Sequence, residues 1–269
     1  MEREKTFPLA IIGGTGTEHI KLHNARSVAV ETLYGPVTVE TGTLTPAIDS
    51  KPVVFLKRHG AAHAVPPHRI NYRANMMALK QLGVRKVAAT GAVGSLSAAY
   101  PPGKLVLASQ FIDFTKTRAG TYYEGEGGVL HADMTEPYCP VFAGEIRRAA
   151  ARAAVEVLEE GVYVCTEGPR LETPAEIRMF AALGGSLVGM TGVPEVVLAR
   201  ELGLCYAGLC LVTNWAAGLA GHNLTHEEVL TAAAAARPEV ERLLAAVLAE
   251  AEPEQHCKCP DSGAELGQF

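Results

Sequence analysis

Residues 9–18 read Leu-Ala-Ile-Ile-Gly-Gly-Thr-Gly-Thr-Glu (LAIIGGTGTE), a short apolar run that stops at a glycine turn. A run this short, bounded by glycines, reads as a buried first β-strand. Glycine turns at strand ends present backbone N–H groups to anions, so this one predicts a phosphate site. The dinucleotide fingerprint G-x-G-x-x-G lacks its third glycine here, because Gly14-Thr-Gly16 is followed by Thr17, Glu18 and His19. The triphosphate loop G-x-x-x-x-G-K-[ST] is absent from the chain. Free inorganic phosphate is the reading that remains, with a nicotinamide oxidoreductase as the rival from another class.

Outward from this strand, apolar runs alternate with helical patterns. Strands are predicted at Leu9–Ile12, Val53–Leu56, Lys86–Thr90, Leu105–Ser109, Val162–Cys165, Leu187–Met190 and Tyr206–Thr213. Helices are predicted at Arg69–Leu82, Val141–Val157, Pro174–Leu183, Pro194–Leu202 and His226–Ala249. Residues Arg26–Gly42 read as a hairpin. The pattern predicts one α/β domain, a central mixed β-sheet flanked by helices, over residues 1–252, with a loose polar C-terminal tail at 253–269. Thr173-Pro-Ala-Glu176 and Thr225-His-Glu-Glu228 carry the capping-box pattern of helix starts. They set Glu172 just outside one helix and His226 in the first turn of another.

Composition limits the partners. With 269 residues, 48% of them hydrophobic, the chain can bury a full core. A net charge of −5 does not suit a duplex nucleic-acid binder. No apolar run is long enough to span a membrane, and the N-terminus lacks a signal-peptide core, so the expected location is cytoplasmic. Cys139, Cys165, Cys205 and Cys210 lie in apolar segments and read as buried thiols. Cys257 and Cys259 form a C-x-C after His256, which lacks the usual zinc-ligand spacing and reads as part of the loose tail. His59, His63 and His68 are spaced H-x3-H-x4-H, but prolines interrupt any shared helical face, so no metal is expected.

A small dianion needs backbone N–H groups, a hydroxyl and a guanidinium. Thr15 offers the hydroxyl. Arg58-His59 follows an apolar strand, where an arginine must find a partner. Gly91-Ala92 reads as a small-residue turn after a third strand. Thr191 precedes a predicted helix opening at Pro194, and helix N-termini favour anions. Four strand ends of this kind can converge on one crevice.

These residues lie inside longer motifs: IIGGTG, RHG-AAH-AVPPHRINYRAN, ATGAVGSL, HADMTEPYCP, TEGPRLETPAEI, VGMTGVPEVVLARELGLCYAGLCLVTN and HEEVL. Together they resemble the trimeric purine nucleoside phosphorylase and 5′-methylthioadenosine phosphorylase family from about Leu9 to Leu248. The resemblance implies phosphorolysis, in which a nucleoside and phosphate give a free base and pentose 1-phosphate, without cofactor or metal. It implies that Thr15, Arg58, His59, Gly91, Ala92 and Thr191 bind phosphate and that Met190 faces the nucleoside. It also implies that His131 closes the sugar pocket of a neighbouring subunit, in a homotrimer or a hexamer of two trimers.

Three positions bear on the nucleoside. Asn214 can donate to O6 of a 6-oxopurine and accept from a protonated N7. The methylthioadenosine enzymes carry aspartates here and two residues on, whereas this chain has Asn214 and Ala216, with Trp215 between them in the same substrate-facing stretch. Glu172 can accept N1–H and the guanine amino group. His226 can hydrogen-bond a 5′-hydroxyl. Asn214, Glu172 and His226 are therefore the expected catalytic set for inosine and guanosine, on a framework closer to the methylthioadenosine branch. Phosphorylases of 5′-methylthioinosine and of methylthioadenosine, and a catalytically silent purine-binding protein, are the alternatives.

Overall fold

The computed structural model describes residues 7–47, 50–60, 64–125 and 128–262. The opening stretch forms β1 (Leu9–Gly13), all of it buried. After it come β2 (His23–Val30), β3 (Val37–Thr43), β4 (Val53–Lys57), α1 (Tyr72–Gln81), β5 (Lys86–Ser95) and β6 (Leu105–Phe114). The second half holds α2 (Pro140–Arg152), β7 (Val157–Thr166), α3 (Pro174–Ala182), β8 (Leu187–Gly189), α4 (Gly192–Glu201), β9 (Cys205–Trp215) and α5 (His226–Glu250). No helix among the described residues is long and apolar enough to cross a membrane.

The sheet is mixed, as expected, and it partly closes on itself. β1 lies between β4 and β5 and parallel to both. β5 runs parallel to β9 and, near its end, antiparallel to β8. β8, β7 and β6 continue in parallel, and β6 meets β9 antiparallel. Five strands thus form a ring, and β1, β4, β3 and β2 extend from it as an open wing. The hairpin read at Arg26–Gly42 is β2–β3, with the mostly exposed β2 at the edge.

Alternation along β1 builds two cores. Ile12 joins Leu56, Met76, Leu79 and Val196 on the side covered by α1 and α4. Ile11 joins Phe55, Phe142, Ile146 and Leu243 on the side covered by α2 and α5. Each such side chain contributes about 1.5–3 kcal/mol of burial. Lys86 at the start of β5 gives both carboxylate oxygens of Glu145 a hydrogen bond, at 2.7 and 2.8 Å, and so ties α2 to the sheet.

Several boundaries differ from the sequence reading, each for a local reason. The helix expected to reach Val157 ends at Arg152, and the chain reverses with Ala154 at φ 50°. An alanine-rich run without a glycine gives no stop signal. The helix expected from Arg69 is a short 3-10 turn at Pro67–Arg69 followed by α1, which Asn71 caps by accepting the Ala74 N–H at 3.1 Å. The turn expected at Gly91-Ala92 does not exist. β5 runs through both residues, which pair with Cys210 and Leu211 of β9.

The terminal segment is polar but not loose as far as Ser262. The Gln255 side-chain amide donates to the carbonyls of Arg85 and Gly203, and the Ser262 hydroxyl donates to that of Arg200. Cys259 is 2% exposed. A polar segment docks here because backbone carbonyls, rather than an apolar stripe, receive it.

Candidate active site

The ends of β1, β4, β5, β8 and β9 surround one cleft of about 830 Å³, including the solvent at its mouth. It brings together Thr15, Arg58, His59, Gly91, Ala92 and Thr191, the whole set expected at the phosphate. Met190, Glu172, Asn214 and Ala216 line the same cleft. The path of β5 accounts for part of this lining. Gly91 and Ala92 are not a turn but small residues of a strand whose backbone forms part of the cleft wall, and a Cβ on Gly91 would approach the Thr191 hydroxyl at 3.9 Å.

Arg58 is 4% exposed and tightly held. Its Nε and Nη2 donate to the two carboxylate oxygens of Glu195, each at 2.8 Å, and Nη1 donates to the Thr90 carbonyl at 2.7 Å. A guanidinium has five N–H groups, so one remains on each terminal nitrogen. Burial alone would lower the pKa of Arg58. The charge and hydrogen bonds of Glu195 more than reverse this and hold the guanidinium well above its ordinary value. Tyr206 donates its hydroxyl to Glu195 at 2.7 Å. No motif in the sequence singles out Glu195. Its signal was a carboxylate one residue after a proline in an apolar helix, a position that only a buried cation makes tolerable.

The glycine turn is shaped around this pair. A Cβ on Gly14 would collide with Arg58 Nη1 and stand 2.9 Å from the Thr90 carbonyl oxygen. Thr17 anchors the turn, its hydroxyl donating to the Gly14 carbonyl at 3.0 Å. Gly14→Ala must displace backbone or guanidinium, so we expect a loss of about 1–3 kcal/mol of stability, read as a lower midpoint in urea unfolding. An unchanged midpoint would show that the turn has slack.

His59 Nδ1 donates to the Val65 carbonyl at 2.8 Å, which fixes the ring orientation and tautomer at the cleft wall. Of the histidine triplet in the sequence, His63 lies outside the described residues. Glu172 accepts the Thr166 hydroxyl at 2.7 Å. The capping box at Thr173 forms as expected, and Arg170 grips its Glu176 with two bonds, so the loop that carries Glu172 is anchored from both sides.

Asn214 lies on the last turn of the pleat of β9. Its Oδ1 accepts the Thr213 hydroxyl at 2.8 Å, and its Nδ2 donates to the Trp215 carbonyl at 2.8 Å. The amide is thereby oriented, with one N–H and one lone pair still to offer. Trp215 is half-buried at the end of β9 and is not part of the cleft lining, where its backbone orients Asn214. His226 opens α5 behind the second capping box, and Leu224 and Val229 beside it form an apolar part of the cleft wall. His131 is exposed on the segment before α2 and lies outside this cleft. Cys165 and Cys210 are buried, which pushes both thiols up to about 12 and leaves them poor nucleophiles.

Residues 8–249 match the family model described as the phosphorylase superfamily. A probable 6-oxopurine nucleoside phosphorylase of Dictyoglomus turgidum is 49% identical over 256 residues, covering 94% of this chain and 95% of that protein. A probable S-methyl-5′-thioinosine phosphorylase of Methanopyrus kandleri is 45% identical, covering 96% of this chain and 99% of that protein. Among solved structures, methylthioadenosine phosphorylase from Schistosoma mansoni in complex with adenine superposes with a TM-score of 0.88 at 32% identity, covering 97% and 96% of the two chains.

Proposed function

The chain belongs to the phosphorylase superfamily and is an enzyme of pentosyl transfer, and within that family we propose that it cleaves the 6-oxopurine nucleosides inosine and guanosine with inorganic phosphate. The products are the free base and ribose 1-phosphate. The observation that carries this reading is Asn214, an amide held by Thr213 and Trp215 with one donor and one acceptor left for the base. A 6-oxopurine whose N7 is protonated as it leaves offers the matching acceptor at O6 and donor at N7.

Phosphate occupies the end of the cleft formed by Thr15, Arg58, His59, Gly91, Ala92 and Thr191. Glu195 fixes the guanidinium, so its two remaining N–H groups are already oriented and binding costs little reorganisation. The ribosyl group passes through an oxocarbenium-like state. Bound phosphate stabilises that positive charge and then forms the bond to C1′ as the bond to the base nitrogen breaks. Positioning the two reactants supplies much of the rate, with no covalent enzyme intermediate and no cofactor. Glu172 receives N1–H, Asn214 stabilises the departing base, Met190 packs against the nucleoside, and Ala216 completes the base side. His226 binds the 5′-hydroxyl. His131 of one subunit closes the sugar pocket of its neighbour in a homotrimer or a hexamer of two trimers, in the cytoplasm.

The apolar wall of Leu224 and Val229 favours a second reading, in which a 5′-methylthio group replaces the 5′-hydroxyl. The assay is phosphate-dependent base release from inosine, guanosine, methylthioinosine and methylthioadenosine side by side. The primary reading expects turnover of the first two above the others. Preference for methylthioinosine would keep Asn214 and Glu172 in their roles and displace His226. Preference for methylthioadenosine would overturn the base assignment.

A further inference from the structure

At the other end of β9, four cysteines that are far apart in the chain meet. Cys139 caps α2, Cys205 opens β9, and Cys257 and Cys259 come from the terminal C-x-C. Their four sulfurs all lie within 4.8 Å of one another, with three of the side chains buried. An ion held by four thiolates at about 2.3 Å sets its sulfurs roughly 3.8 Å apart in a tetrahedron. Cys205 and Cys257 Sγ lie 3.2 Å apart and would separate by about 0.6 Å to reach that geometry.

The surroundings are those of anionic sulfur. The Phe142 N–H, in the first turn of α2, donates to Cys139 Sγ at 3.4 Å. The Gln255 amide nitrogen, whose two N–H groups are shared with the Arg85 and Gly203 carbonyls, lies 3.3 Å from Cys205 Sγ, and the Arg200 guanidinium donates to Cys259 Sγ at 3.5 Å. Two N–H donors, one of them cationic, thus aim at two of the four sulfurs, and the shared Gln255 amide lies against a third. Such donors orient thiolate ligands and offset the net negative charge that four thiolates leave on a divalent ion. The terminal segment is also fitted to this place. Gly203, at φ 68°, lies so close to it that a Cβ there would stand 3.1 Å from Pro260 Cα and 3.3 Å from the Cys259 carbonyl.

We propose that Cys139, Cys205, Cys257 and Cys259 form a structural tetrathiolate site for a divalent metal, with zinc the ion best suited to four sulfurs. Four protein ligands leave no open coordination position, so the site is structural rather than catalytic. Its function is to pin the terminal segment to α2 and to the start of β9. Asn214 lies nine positions along β9 from Cys205, about 30 Å of extended strand, so the ion takes no part in the cleft chemistry. The sequence hides this site, because C-x-C is only half of it and the other half comes from two distant elements.

The test uses the full chain, purified under reducing conditions, stripped of metal and titrated with cobalt(II). We expect one cobalt per chain, with the intense visible d–d bands and sulfur-to-metal charge transfer of a tetrahedral four-sulfur site. We also expect loss of that spectrum in Cys257→Ser, the half-exposed ligand and so the substitution best tolerated by the fold. Zinc should displace cobalt and raise the thermal midpoint, with base release at room temperature unchanged. Two results would overturn the proposal. One is four free thiols with no cobalt uptake. The other is mass spectrometry of anaerobically purified protein showing these cysteines joined as disulfides. Both are read on the wild-type chain, so they stand even if the variant fails to fold.

Discussion

Asn214→Asp should lower kcat/KM for inosine by roughly 10²–10³-fold and raise activity on the 6-amino nucleoside adenosine. The amide N–H that would reach O6 becomes a carboxylate oxygen, so a donor is lost and two acceptors face each other. Each mismatched buried group costs about 1–3 kcal/mol, and each 1.36 kcal/mol in the transition state is about tenfold in rate. The exocyclic amino group of adenosine instead meets an acceptor, as does its N7 when protonated. The structure adds a second consequence. Nδ2 now donates to the Trp215 carbonyl at 2.8 Å, and an aspartate oxygen there would oppose that carbonyl. This crowding of acceptors disfavours the ionised carboxylate and raises its pKa. The sign follows directly. Below its raised pKa the carboxyl is protonated and can donate again, so residual inosine turnover in the variant should recover as pH falls, whereas wild-type Asn214 does not titrate. The check is a pH profile of kcat/KM for both enzymes on both nucleosides. Unchanged inosine turnover at neutral pH would remove Asn214 from the base site.

Much of this site is legible in the sequence because several contributors sit at strand ends flagged by an abrupt change of residue type. Thr15 follows the glycines of β1, Arg58-His59 breaks the apolar run of β4, and Asn214 ends the apolar run of β9. Capping boxes mark Glu172 and His226 because their spacing has a local physical cause, the unsatisfied N–H groups of a helix start. What the sequence conceals is non-local. Gly91 and Ala92 read as a turn because small residues usually break strands, yet here they leave strand backbone bare at the cleft. Ring closure of the sheet depends on β6 meeting β9, a pairing between distant segments that no periodicity reports. The terminal C-x-C looks idle for the same reason, since Cys139 and Cys205 come to it only in the fold. Glu195 is the most instructive case. A carboxylate 1% exposed is explained by Arg58, 137 residues away in the chain, with a further hydrogen bond from the Tyr206 hydroxyl.

That dependence makes Glu195→Gln the variant with the largest expected effect on stability. Glutamine keeps the shape but turns one acceptor into a donor facing a guanidinium, and it removes the only carboxylate that Arg58 contacts among the described residues. Leaving one partner of a buried ion pair uncompensated costs about 3–5 kcal/mol. For a chain of this size each kcal/mol is worth about 2–4 °C, so the thermal midpoint should fall by roughly 6–20 °C. Arg58 stays protonated, since a guanidinium does not lose its proton in a protein, so the penalty persists across the accessible pH range. If the guanidinium faces the phosphate subsite, the dianion becomes the missing counter-charge. Added phosphate should then raise the midpoint of Glu195→Gln by more than it raises that of the wild type. Replacing both partners by apolar groups of similar size, Arg58→Met with Glu195→Leu, should recover most of the stability, because neither charge is left buried alone. The same double variant should lose phosphate stabilisation altogether. Scanning calorimetry with and without phosphate on the three proteins separates the roles. Equal phosphate shifts in wild type and Glu195→Gln would show that Arg58 serves the core and not the substrate. A larger shift in Glu195→Gln that vanishes in the double variant would place the guanidinium against the phosphate, with Glu195 as the residue that aims it.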